Sequence, residues 1–262
     1  MKKNQSIVIG NWKMNPQTLV EAKRIVTKTK TVARTLEHTL VVACPPFPFV
    51  SLVASKRNSG ASGNRVHAGV QNAFFEEQGA YTGEVSTHML ADIGVEYVIV
   101  GHSERRARGE TDVEVSKKVA AVTQSGMTAV LCVGETVRDA QGAYLNTLRE
   151  QIKASLQAFP KRQLSQLIIA YEPVWAIGAK EAMTPVLVRE MVIFVKKVIS
   201  DTYGQEEALA VPVLYGGSVN FRNAADIMTE GHVDGFLVGR ESVNVPGFIE
   251  LIKVVDAVSA KK

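Results

Sequence analysis

Short apolar runs recur along the chain, at residues 7–9, 40–43, 65–70, 97–100, 129–133, 167–171, 213–215 and 235–238. Most are nearly continuous in apolar character and rich in β-branched residues. A strand buried on one face alternates apolar and polar positions; a continuous run predicts a strand covered on both faces, as in a parallel sheet. Between the runs the period changes. Val188, Met191, Val192, Val195, Val198 and Ile199 mark one helical face at i, i+3, i+4, i+7 spacing. Thr111-Asp112-Val113-Glu114 reads as a capping box opening a helix that closes at Gly126. A third helix is expected from Leu145 to Leu156. Eight strand–helix alternations predict an α/β fold, a (β/α)8 barrel of eight parallel strands with outer helices, as one domain over residues 1–262. An open doubly wound sheet is the alternative. No Gly-x-Gly-x-x-Gly follows the first run to support it.

Composition narrows the function classes. Charged residues make up 21% of the chain and the net charge is +4, enough to favour small anions. No run of five like charges suggests a nucleic-acid arm. No stretch approaches the ~18 apolar residues of a membrane helix, and the run at 7–9 is too short for a signal-peptide core. Cys44 and Cys132 sit in apolar runs without a CxxC spacing, which predicts core thiols in a reducing compartment. The expectation is a cytoplasmic protein with neither nucleic acid nor membrane as partner.

In a barrel of this kind the chemistry sits at the C-terminal ends of the strands. After the sixth run stands Glu172, followed by Pro173, which stops strand pairing. Residues 173–183 then form a loop long enough to be a lid, before the helix start Thr184-Pro185. A carboxylate beneath a lid suits a general base that must be shielded from water; an ordinary solvated loop acid is the plain alternative. After the first run, Asn11 and Lys13 lie two residues apart. If the backbone stays extended, they point to the same side. After the fourth run, His102 precedes a helical turn whose N-terminus would hold its imidazole neutral, fit to donate to a carbonyl oxygen gaining charge. Glu104 has two readings: a pair with Lys13, or one with Arg105 or Arg106. Gly216-Gly217-Ser218 and Gly239-Arg240, after runs seven and eight, suit a phosphate site built from main-chain N–H groups. Phe74, Phe75 and Tyr81, on the long loop 71–84, are apolar groups in need of cover, from within the monomer or across a subunit interface.

These pieces together resemble the triosephosphate isomerase family. The resemblance is carried by Asn11-Trp12-Lys13, Gln71-Asn72 with Gly79-Ala80-Tyr81-Thr82-Gly83-Glu84, Gly101-His102-Ser103-Glu104-Arg105-Arg106, Cys132-Val133-Gly134-Glu135, Tyr171-Glu172-Pro173-Val174-Trp175-Ala176-Ile177-Gly178 and Tyr215-Gly216-Gly217-Ser218, in order from residue 7 to about 256. The resemblance implies a TIM barrel and interconversion of dihydroxyacetone phosphate and D-glyceraldehyde 3-phosphate through an enediol(ate). It implies that Glu172 is the base and His102 the neutral electrophile. Lys13 would stabilise developing charge and help hold the phosphate, Asn11 would donate to a substrate oxygen, and Glu104 would partner Lys13. Gly178, Ser218, Gly239 and Arg240 would offer N–H groups to the phosphate, with Trp12 also on the substrate side. A homodimer through loop 71–84 is implied, with Phe74 and Phe75 on the dimer loop and Thr82 bracing the partner subunit's site. No metal or organic cofactor is implied. An isomerase for another small phosphosugar is the alternative.

Three places depart from the family pattern. The lid reads Gly178-Ala179-Lys180-Glu181, with lysine at a position usually held by glycine. Arg240 replaces a second glycine; if that position needs φ > 0, the substitution costs about 1 kcal/mol. The segment Arg106-Ala107-Arg108-Gly109-Glu110-Thr111 is shorter and more basic than usual, and it flanks His102.

Overall fold

The computed structural model describes residues 5–54, 66–176 and 182–261. Eight strands form one closed parallel barrel: β1 (Ser6–Asn11), β2 (Thr39–Cys44), β3 (Val66–Val70), β4 (Tyr97–Val100), β5 (Thr128–Val133), β6 (Leu167–Tyr171), β7 (Val213–Tyr215) and β8 (Gly235–Val238). The barrel closes where β1 pairs with β8, Ile7 opposite Gly235 and Gly10 opposite Val238. Every apolar run became a strand. Arg65, placed at the start of the third run, lies outside the described residues.

The continuous apolar character follows from two hydrophobic compartments. Along β1, Ile7 and Ile9 point into the barrel, where they meet Val42, Ile99, Val130, Ile168, Leu214 and Leu237. Val8 points outward with Val41, Val98, Leu131, Ile169 and Val213 into the layer beneath the helices. Little of either face meets water, so the strand interiors are almost wholly apolar; polar residues sit mainly at strand ends, as Ser6, Asn11, Thr39 and Thr128 do, with half-exposed His67 of β3 an exception. Cys44 and Cys132 are free, buried thiols inside the barrel.

The helices start where their caps allow. Thr111 Oγ1 accepts from Glu114 N at 3.2 Å and the Glu114 carboxylate accepts from Thr111 N at 2.9 Å, closing the capping box of helix Asp112–Gln124. Gly126 follows it at φ 77°. Thr184 caps helix Pro185–Tyr203, whose buried face is the six residues picked out by spacing. The helix expected from Leu145 begins earlier, at Ala143. Its cap is remote: the Asp139 carboxylate accepts from Ala143 N and Tyr144 N, both at 2.9 Å. Among the described residues no helix is long and apolar enough to cross a membrane.

Candidate active site

A cavity of about 460 Å³ opens at the C-terminal ends of the strands. Its lining includes Asn11, Trp12, Lys13, His102, Glu104, Glu172, Ser218, Gly239 and Arg240. Residues far apart in sequence converge there because each follows a different strand of the same barrel.

Glu172 stands one residue beyond β6, and its side chain is buried. Its main-chain N–H donates to Val133 O at 2.8 Å. A Cβ on Gly134 would lie 1.7 Å from Glu172 O, so only glycine lets the end of β5 approach this closely. The carboxylate accepts from Ser103 N at 3.3 Å and faces His102 Nε2 at 3.1 Å, with the Cys132 thiol also against it. Burial opposes its charge, but His102, the Ser103 N–H and nearby Lys13 hold the carboxyl below the usual carboxylate range.

His102 is buried between β4 and the short helix Ser103–Arg106. Its Nδ1 accepts from Glu104 N at 3.1 Å. Burial disfavours the imidazolium, whereas the Glu172 carboxylate favours it and raises the ring's pKa. A second proton would have to sit on Nδ1, facing that main-chain N–H. The geometry therefore holds a neutral ring with its proton on Nε2, the nitrogen that faces Glu172.

Lys13 and Asn11 do reach the same cavity, but not by an extended backbone. Lys13 sits at φ 53°, in the left-handed region. Asn11 Oδ1 accepts from Lys13 N at 3.0 Å, and Gln71 Nε2 donates to Lys13 O at 2.8 Å and to Cys44 O at 2.9 Å. These bonds offset the cost of a conformation that side chains avoid. With Oδ1 engaged, the Asn11 amide is left to act as a donor. Lys13 Nζ pairs with Glu104 Oε1 at 2.5 Å. Arg105 and Arg106 pair instead with Glu110 and Asp112, which decides between the two readings of Glu104.

Other expectations are revised. Arg240 is not among the residues with positive φ; it opens the turn Arg240–Val243, so the expected strain is absent. Its side chain is exposed at the cavity rim. Trp12 lines the cavity, yet its ring packs in the layer between barrel and helices. Phe74 and Phe75 stack at 4.4 Å between centroids and Tyr81 lies 4.8 Å from Phe74, so the loop covers part of its own apolar surface. Thr82 is exposed on the same loop. Gly178 and the altered lid positions Ala179, Lys180 and Glu181 lie outside the described residues. The flanks of that segment are pinned. Trp175 Nε1 and Tyr171 Oη both donate to Glu135 Oε1, at 2.8 and 2.9 Å, and Met183 N donates to Tyr215 Oη at 3.1 Å. The roles of Gln71 and the Ser103 N–H are not read from the sequence, because amides and backbone groups carry no pattern of their own, and that of Glu135 is not read because its partners Tyr171 and Trp175 lie 36 and 40 positions away.

A closed (β/α)8 barrel whose strand ends join a carboxylate, a neutral imidazole and an ammonium defines a class: barrel enzymes that move protons on a small anionic substrate. The comparison with known proteins names the family. Residues 6–255 match the family model described as Triosephosphate isomerase. Over 248 residues the chain is 39% identical to the triosephosphate isomerase of Moorella thermoacetica, covering 94% of this chain and 97% of that one. The chain belongs to the triosephosphate isomerase family.

Proposed function

We propose that this isomerase interconverts dihydroxyacetone phosphate and D-glyceraldehyde 3-phosphate through an enediol(ate), with Glu172 and His102 as its acid–base pair. The observation that carries the reading is the 3.1 Å contact between His102 Nε2 and Glu172 Oε1, in a cavity that Lys13 also lines. Glu172, ionised, takes the proton from the carbon beside the carbonyl. His102 donates its Nε2 proton to the carbonyl oxygen, whose charge is growing. Glu172 then gives its proton to the neighbouring carbon, and His102 regains one from the neighbouring hydroxyl, so both return to their starting states. Lys13 leaves Glu104 to neutralise the enediolate and the phosphate, and Asn11 donates to a substrate oxygen. Ser218 and the N–H groups of Gly239 and Arg240 line the end suited to the phosphate. Each acid–base step is worth about 10²–10⁴-fold, so positioning and fixed charge supply the rest. Family membership favours this substrate over another small phosphosugar.

The partner proposed is a second copy of the chain. Exposed Thr82 and half-exposed Tyr81, with Phe74 and Phe75 behind them, would seat on a neighbouring subunit. A cavity of about 320 Å³ beside the site, lined by Lys13, Met14, Pro46, Gln71 and Glu104, is open to receive such a loop. A cytoplasmic location fits the two free thiols.

The test is isomerisation of D-glyceraldehyde 3-phosphate, followed by a coupled assay. Glu172→Gln, folded as wild type, is expected to lose about 10³-fold or more in kcat. Wild-type turnover in that variant would sink the assignment.

A further inference from the structure

We propose that Arg106, which does not line the cavity, is a positioning residue that sets the geometry of the His102–Glu172 pair from behind. The inference rests on the acid–base reading of that pair. Arg106 Nε donates to Gly101 O at 2.7 Å, and Nη2 reaches Cys132 O at 3.5 Å and Ser155 Oγ at 3.3 Å. Nη1 pairs with the Asp112 carboxylate, which also accepts from Ser155 Oγ at 3.3 Å. One guanidinium thus joins the end of β4, the end of β5 and two outer helices.

The end of β4 leads into one reacting group, His102, and the end of β5 supports the other, Glu172, which follows β6. Gly101 is the residue before His102. Cys132 precedes Val133, whose carbonyl accepts the Glu172 N–H, and the Cys132 thiol contacts the Glu172 side chain. Movement of β4 against β5 therefore changes the distance between imidazole and carboxylate. Arg106 holds that distance through rigid donors on both sides.

Two details indicate that the arrangement is built. Gly101 adopts φ +69°, and a Cβ there would lie 2.9 Å from Arg106 Nη2 and 3.1 Å from Val115. Any side chain at 101 would displace the guanidinium. Ser155 is fully buried in helix Ala143–Ser155, and its hydroxyl is spent on Arg106 and Asp112. The charge of Arg106 is already neutralised by Asp112, so geometry remains as its contribution. Lysine keeps the charge but lacks the planar fork that reaches several acceptors at once.

Arg106→Lys and Ser155→Ala, each compared with wild type and Glu172→Gln, test the idea by steady-state kinetics. Arg106→Lys is expected to fold and to lose about 10- to 100-fold in kcat with KM changed by less than about 3-fold, because a small misalignment costs the chemical step. Ser155→Ala removes one anchor and should lower kcat by about 3-fold at unchanged KM. A folded Arg106→Lys with wild-type kcat, or a loss confined to KM, overturns the inference. If Arg106→Lys does not fold, Ser155→Ala decides: reduced kcat supports it and unchanged kcat overturns it. Full turnover in Glu172→Gln would instead overturn the reading of the pair, with Arg106 falling along with it.

Discussion

Two lysine–glutamate pairs, one at the cavity and one behind it, meet at the same distance but differ in solvent exposure. Lys13 and Glu104 approach to 2.5 Å with side chains 28% and 55% exposed. Lys118 and Glu110 approach to the same distance with side chains 5% and 4% exposed. The buried pair is tied further: Lys118 Nζ donates to Asn72 Oδ1 at 2.9 Å and Arg105 Nε to Glu110 Oε1 at 2.9 Å. It fixes the root of loop 71–84 against helix Asp112–Gln124. An exposed ion pair contributes only about 0–1 kcal/mol, so Lys13 can leave Glu104 for a substrate oxyanion at little cost. A buried pair that loses one partner leaves an uncompensated charge, at about 3–5 kcal/mol, so Lys118 cannot move. Burial, not residue type, separates a cation free to meet a substrate from one locked in place.

The same substitution in both pairs is the sharpest way to break this comparison. Lys118→Met should destabilise the protein by about 3–5 kcal/mol in urea unfolding at fixed protein concentration, while the folded fraction keeps wild-type kcat. The loss should depend on pH. Burial opposes the Glu110 charge, but Lys118 and Arg105 outweigh it and depress the carboxyl. A depressed carboxyl contributes stability present above its unfolded pKa of about 4.3 and lost as pH falls through the folded value. Unfolding midpoints measured from neutral pH downward should therefore converge for wild type and Lys118→Met below about pH 4. A constant gap would show that the pair's charge is not the cause.

Lys13→Met should give the opposite profile. Stability should change by less than about 1 kcal/mol, and kcat/KM should fall by about 10²–10³-fold, the cost of removing one stabiliser of developing charge. Destabilisation as large as that of Lys118→Met would erase the distinction between the pairs. The smallest effect is expected from Glu104→Gln, which frees Lys13 but leaves it in place. Thermal melting should be within about 0–1 kcal/mol of wild type, with only a few-fold change in KM.

Much of the proposed site was legible because each of its charged or titratable side chains lies within a few residues of the end of an apolar run. Glu172 after β6, His102 after β4 and Lys13 after β1 could be listed before any geometry was known. The capping box at Thr111 and the face of helix Pro185–Tyr203 were equally local. Pairings were not legible. Glu104 had three basic candidates, and only the convergence of the residues beyond β1 and β4 at the barrel mouth selects Lys13. The left-handed backbone of Lys13 depends on Gln71, 58 positions away, and the relaxed backbone of Arg240 depends on the turn it opens.

By itself the sequence determined the period of each segment, and with it the barrel, the order of its strands and the set of groups at their ends. Those features follow from local sterics and from which faces must leave water. Only the tertiary structure decided which nitrogen of His102 faces Glu172, which lysine is parked and which is locked, and that Arg106 reaches behind His102 and Glu172. Hydrogen-bond direction and burial are properties of surroundings assembled from many elements, and no stretch of chain contains its own surroundings.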